Sequence, residues 1–105
     1  PQMAVYGATK QAVRALCETM AIELGEHGIT VNHIGPGWVK SQLNDSSPGL
    51  RTEADERATL ALIPIPRPSE AIEQGRAVAY LCSSDADYVT GEFLRVDGGF
   101  VVGKY

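Results

Sequence analysis

Gly28-Ile-Thr-Val-Asn-His-Ile-Gly-Pro-Gly37 is the stretch on which the fold turns. Gly28 is a natural helix terminator, with His27 in the last turn before it. Thr30, Val31 and Ile34 supply the β-branched content of a buried strand, expected over residues 29–34. Gly35, Pro36 and Gly37 then end it in a tight loop. Upstream, residues 3–26 carry an amphipathic pattern: Val13, Leu16, Met20 and Leu24 recur at three- and four-residue steps, joined by Cys17 and Ala21. Ala8, Ala12 and Ala15 give the same helix a second, smooth face. Helix, turn, strand and Gly/Pro loop is an α/β order. In open α/β sheets ligands bind beyond the carboxyl ends of the strands, so residues 36–41 occupy the position of a ligand loop.

Working outward, residues 40–48 are polar and rich in turn formers. Residues 51–62 read as a short helix, with Thr52 or Gly49 near its start. Ile63-Pro-Ile-Pro-Arg-Pro68 cannot continue a helix and is expected as a stiff extended connector. A flexible loop and a stiff proline segment around a short helix would suit a gate, and an ordinary surface excursion fits the residues as well. A second long helix is expected over 69–83, capped by Ser69, with Ile72, Val78 and Leu81 inward beside Ala79 and Cys82. A turn region and a short strand, Phe93 to Val96, close the pattern before Asp97-Gly98-Gly99. No internal repeat breaks this order.

The 105 residues suffice for one small domain. With 44% hydrophobic and 21% charged residues the chain is globular rather than disordered. A formal charge of −4, with Lys and Arg scattered, lacks the basic footprint that nucleic acid or an anionic membrane would need. The longest uncharged stretch, 28–39, is broken by Asn32, His33 and Pro36, so a transmembrane helix is not expected, nor is a signal peptide. A cytoplasmic setting follows from that reading. Cys17 and Cys82 read as small buried hydrophobes in a reducing compartment, though a disulfide is not ruled out by sequence. His27 and His33 are too isolated for a zinc site, and no metal is expected.

Tyr6-Gly-Ala-Thr-Lys10 is the candidate chemical site. A spacing of four puts phenol and ammonium on one helix face. A cation beside a phenol favours the phenolate and makes the hydroxyl a usable proton carrier. Many helices carry this spacing by chance, so its context decides.

That context resembles the short-chain dehydrogenases/reductases. The Tyr6–Lys10 pair, Thr30-Val-Asn-His-Ile34, the Pro36-Gly37 turn and Tyr88-Val-Thr-Gly-Glu-Phe-Leu-Arg-Val-Asp-Gly-Gly99 follow in the family's order and spacing along nearly the whole chain. The resemblance implies an α/β fold: the C-terminal part of a Rossmann-like, doubly wound parallel sheet, with residues 1–105 forming the catalytic and substrate part. It implies an NAD(P)-dependent oxidoreductase interconverting carbonyl and alcohol, with NAD or NADP as cofactor. By the match, Tyr6 exchanges the proton with the substrate oxygen and Lys10 assists it and bonds the nicotinamide ribose. Pro36 and Gly37 pass close to the nicotinamide, the Val39 backbone holds its carboxamide, and Ser41 stands where many members carry a cofactor-touching threonine. Asn32 reads as structural. In the family the helix corresponding to residues 3–26 commonly builds the subunit interface, so a homo-oligomer through this helix is expected.

The chain departs from the family in two ways. Ala71-Ile72-Glu73 stands where a proline and acidic residues usually open the helix. The Gly-rich dinucleotide loop, the Asn-Ala-Gly segment and the catalytic serine expected upstream of Tyr6 are not in these residues, so the isolated chain is expected to be inactive. The alternative is a non-catalytic folded fragment that self-associates or complements another half; an independent small binding module would require the resemblance to be accidental. The loop over 41–62 leans towards polyol, sugar or other polar carbonyl substrates.

Overall fold

The structure is a computed structural model that describes residues 3–40 and 52–103. Among the described residues the elements follow in the order α1 (Ala4–Leu24), β1 (His33–Pro36), α2 (Glu53–Ala61), α3 (Ala71–Leu81) and β2 (Phe93–Val96), with short 3-10 turns at Gly25–His27 and Ser84–Ala86. The chain divides into two compact units: Pro1–Ile34 with Val78–Leu94, and Gly35–Ala77 with Arg95–Tyr105.

In the first unit, α1 runs straight into the 3-10 turn and stops where expected. Gly28 takes a left-handed conformation (φ +72°) and its N–H bonds the Gly25 carbonyl, the conformation glycine adopts without a Cβ penalty. The inward side of α1 differs from the expected stripe. Cys17, Met20, Ala21 and Leu24 sink, whereas Val13 and Leu16 stay exposed, at 50% and 58%. Ala21 is buried because Gly91 passes over it: a Cβ on Gly91 would lie 3.5 Å from that of Ala21. Cys82 is also exposed rather than buried, and both cysteines are free.

The strand expected over 29–34 is displaced to His33–Pro36. The cause lies in side chains that take over backbone partners. Val31 N–H donates to Thr90 Oγ1 at 3.0 Å, and the Asn32 amide donates to the Val89 carbonyl at 2.7 Å. Asn32 Oδ1 in turn accepts from Glu92 N–H at 3.0 Å. Residues 29–32 are therefore laced to the 89–92 turn by side chains, and regular pairing begins only at His33, whose N–H meets the Glu92 carbonyl. The Asn32 contacts match its structural reading. Pairing rises together in both strands, from Val31 with Gly91 to Gly37 with Val96, so the two-stranded sheet is parallel.

In the second unit, Thr52 caps α2 through a capping box: Thr52 Oγ1 accepts from Asp55 N–H while the Asp55 carboxylate accepts from Thr52 N–H. The connector after α2 is non-helical, as its prolines require, yet it is packed rather than hinge-like. Ile63 is 1% exposed beneath the Gly98–Gly99 turn, and Ile65 N–H bonds the Gly98 carbonyl at 3.1 Å.

Ser69 does not cap α3. Its N–H and hydroxyl both donate to the Trp38 carbonyl (2.8 and 3.1 Å), and it forms a parallel bridge with Val39. The helix start is served by Glu73, whose carboxylate accepts from Glu70 N–H at 2.8 Å. Ile72 and Val78 are exposed, contrary to expectation; within this unit the side that sinks carries Gln74 and Ala77. Gln74 Nε2 donates to Ser69 Oγ and to the Val96 carbonyl at 2.9 and 3.0 Å. A polar side chain thus occupies a core position by satisfying two acceptors there.

Candidate functional site

The residues singled out by sequence fall into two groups, each in its own unit. Tyr6 and Lys10 lie one turn apart on α1. Lys10 Nζ stands 5.4 Å from the centroid of the Tyr6 ring, within cation–π range. Tyr6 is 55% exposed, so its hydroxyl is open to a reacting molecule. The backbone beneath is an unbroken helix, reinforced by Thr9 Oγ1 donating to the Tyr6 carbonyl at 2.8 Å.

The ridge continues in the same four-residue steps. Arg14 Nε donates to Glu18 Oε1 at 2.8 Å, and its guanidinium sits 5.3 Å from the Phe93 ring centroid. Tyr6, Lys10, Arg14 and Glu18 form one row along α1. Chemically, the arrangement offers an exposed hydroxyl able to give or take a proton, with the Lys10 amine over its ring.

Pro36, Gly37 and Val39 belong to the other group. Pro36 is the last residue of β1 rather than the first of a turn, and costs the sheet no donor there because the next ladder bond comes from Gly37 N–H to Val96 O, at 3.1 Å. Gly37 packs against the backbone at the end of β2: an added Cβ would lie 2.6 Å from Asp97 Cα. Val39 continues the extended path and bridges Ser69, and Lys40 N–H donates to the Ser69 carbonyl at 2.9 Å. Ser41 lies outside the described residues, as does most of the polar loop that precedes α2.

Sequence reasoning missed the part played by Ser69, because a serine directly before Glu70 at the start of a helical pattern reads as a cap. A signal was available in Pro66 and Pro68, which force extended backbone and can carry it on to a strand-like contact. It also missed the Arg67–Glu73 pair. Arg67 Nη1 and Nη2 each reach a different Glu73 oxygen at 2.7 Å, a two-pronged contact. That pair and the backbone bond from Glu70 hold the Glu73 carboxyl down from the ordinary 4.5 to about 2. A hollow of about 280 Å³ lies beside it, walled by Trp38, Ile65 and Asp97. Of the charges that line it, Glu73 is engaged with Arg67 and the Asp97 carboxylate with Gly99 and Val101 N–H, and Arg95 lines it as well. No helix among the described residues is long and apolar enough to cross a membrane.

Comparison with known proteins gives the chain its family. Residues 1–101 match the family model described as enoyl-(acyl carrier protein) reductase. The chain is 42% identical over 105 residues to the A-factor type gamma-butyrolactone 1'-reductase (1S-forming) of Streptomyces virginiae, covering 97% of this chain and 39% of that protein. Among solved structures it superposes on acetoin dehydrogenase from Enterobacter cloacae with a TM-score of 0.79 and 39% identity, over 99% of this chain and 39% of the other. A 4-hydroxyisoleucine dehydrogenase solved with NADH gives a TM-score of 0.87 at 29% identity, over 96% of this chain and 41% of the other. The chain thus spans about two fifths of the length of these relatives and part of their Rossmann fold. By the family-model match and these likenesses, the chain belongs to the short-chain dehydrogenase/reductase family.

Proposed function

We propose that this chain is the catalytic-tyrosine part of an NAD(P)-dependent oxidoreductase that interconverts a carbonyl and an alcohol. The observation that carries the reading is the exposed Tyr6 hydroxyl with Lys10 over its ring, on one face of α1. The residues fit a nicotinamide dinucleotide at the level of donor chemistry, since Lys10 is an exposed ammonium able to bond ribose hydroxyls. Hydride transfer is the chemistry such a cofactor supplies when bound. The chain's own share is the proton. In the reducing direction Tyr6 gives its hydroxyl proton to the substrate oxygen as that oxygen gains charge, and in the oxidising direction it takes the proton back. Lys10 stabilises the tyrosinate left between those events by charge and bonds the ribose. Pro36, Gly37, Val39 and Ser41 are assigned to the nicotinamide side, Val39 through its backbone.

The test is reconstitution. The chain, joined to the N-terminal portion of a close family member, is assayed for NADH and NADPH consumption against a panel of ketones, aldehydes and sugars. Turnover is expected, with Tyr6→Phe lowering it at least a hundredfold while coenzyme still binds. Tyr6→Phe within tenfold of wild type refutes the assignment.

A second reading has its own observation. Val5 is 76% and Ile22 82% exposed on α1, which favours an isolated chain that associates with copies of itself or with a complementing half rather than one that turns over substrate.

A further inference from the structure

Arg14 and His33 both lie against the Phe93 ring in the first unit. The Arg14 guanidinium lies 5.3 Å from the Phe93 centroid, and the His33 ring stacks on Phe93 at 4.7 Å with an interplanar angle of 9°. Both ring nitrogens of His33 are buried without a hydrogen-bond partner. The imidazole therefore contributes its flat face rather than its polar atoms, and it backs the Phe93 ring so that the ring cannot tilt away. Glu18 holds Arg14 from the helix side at 2.8 Å. Arg14 is thus gripped from two directions, by an ion pair along α1 and by an aromatic face on β2.

Its place on the helix gives the grip a consequence. Arg14 stands one four-residue step beyond Lys10 and two beyond Tyr6, on one row of α1. Among the described residues, the apolar packing of α1 is confined to its second half, at Cys17, Met20, Ala21 and Leu24; residues 3–16 are exposed throughout. Apolar burial resists rolling of a helix about its axis only weakly, because it is non-directional. A planar cation seated on a ring does resist it.

We propose that Arg14 is a positioning residue: seated on the His33-backed Phe93 ring, it sets the rotation of α1 and so the direction in which Tyr6 and Lys10 point. This rests on the oxidoreductase reading above for its catalytic consequence, while its structural part stands on the stack alone.

Two measurements test it. In the 105-residue chain, amide and side-chain NMR shifts are compared between wild type, Arg14→Leu, Arg14→Lys and Phe93→Leu. Arg14→Leu should move the amides of Ala21 and Gly91, where α1 meets the rest of its unit, and weaken the contact between them, and Arg14→Lys should restore much of it. Shift changes confined to residues 12–16 overturn the proposal, as does equal disturbance by Arg14→Lys. In the reconstituted enzyme, Arg14→Leu should lower kcat about fivefold with substrate KM within twofold. Phe93→Leu should match it, and the double variant should be no worse than either single one. Full kcat in Arg14→Leu, or additive losses, would also overturn it. An enzyme silent in every form counts against the oxidoreductase reading instead, and the NMR comparison then decides the positioning role by itself.

Discussion

Replacing Asn32 by alanine should destabilise the chain by about 2–3 kcal/mol, and the structure says where that comes from. The side chain donates to Val89 O at 2.7 Å in a part-buried setting and accepts from Glu92 N–H at 3.0 Å in a more open one. Stranding a buried acceptor costs roughly 1–3 kcal/mol, whereas an exposed donor regains water and loses only about 1 kcal/mol. At about 4–8 °C per kcal/mol for a domain of this size, the melting temperature should fall by roughly 10–20 °C. The urea midpoint should fall by about 1–2 M at typical slopes. Both belong in circular-dichroism melts at one protein concentration, since association shifts apparent stability. Asn32→Asp gives a sharper version. It keeps the acceptor for Glu92 N–H but turns a carboxylate towards the Val89 carbonyl. The folded state then favours the protonated acid, which can donate to that carbonyl, so the variant's folded pKa lies above its unfolded value. Its deficit relative to wild type should be smallest below about pH 4, the unfolded value, and grow as pH rises from there towards the raised folded value. Asn32→Ala within about 0.5 kcal/mol of wild type, or an Asn32→Asp deficit that ignores pH, would refute the clip between residue 32 and the 89–92 turn.

Gly37→Ala should cost at least about 2 kcal/mol, because its Cβ would fall 2.6 Å from backbone carbon of Asp97 and force the strand ends apart; a melt within about 2 °C of wild type would contradict this. Glu73 is held at about 2 in the folded chain against 4.5 ordinarily, so the folded state binds fewer protons between those values. Its contribution is complete above pH 4.5 and lost as pH falls through 2, and Glu73→Gln should flatten the acid limb of stability over that window in urea titrations. The effect should be small, since the ion pair is open to solvent and screened; identical acid limbs would remove the pair from the account. Val5, Val13 and Leu16 share a bare face of α1, so sedimentation equilibrium at micromolar concentration should find an oligomer that Leu16→Glu dissociates. A cooperatively folding wild-type monomer would refute it.

What could be read from the sequence was whatever depends on local stereochemistry. The helix end at Gly28, the helix start near Thr52 and the strand at Phe93–Val96 stand where their residues predict. Each is decided within a few positions of chain, by a positive φ, a side-chain cap or a short strand sequence ahead of a Gly-Gly turn. The errors come from partners that are distant in sequence. Thr90 and Asn32 take the polar groups of residues 31 and 92 across nearly sixty positions and move the start of β1 four residues downstream. Ser69 is drawn from a cap to a bridge by Trp38 and Val39, thirty residues away. Val13, Leu16 and Ile72 show the deeper limit. Periodicity records which side chains could be buried together, and a side chain is buried only where something covers it.

The same distinction bears on the candidate site. Tyr6 and Lys10 were legible because a four-residue step on a helix fixes their proximity without help from the rest of the fold. Gly37 and Val39 were assigned to a cofactor on family resemblance, yet each already has an occupation within its own unit. Gly37 admits the backbone of Asp97, and Val39 extends β1 to meet Ser69. A loss of activity on changing either residue therefore has two physical routes, and stability separates them. Removing an interaction with the cofactor from an otherwise intact frame weakens coenzyme binding at an unchanged melting temperature. A strand end forced open lowers both together. Tyr6 carries no such ambiguity: its hydroxyl donates no hydrogen bond among the described residues, so Tyr6→Phe should leave the melt unmoved and act on the proton alone.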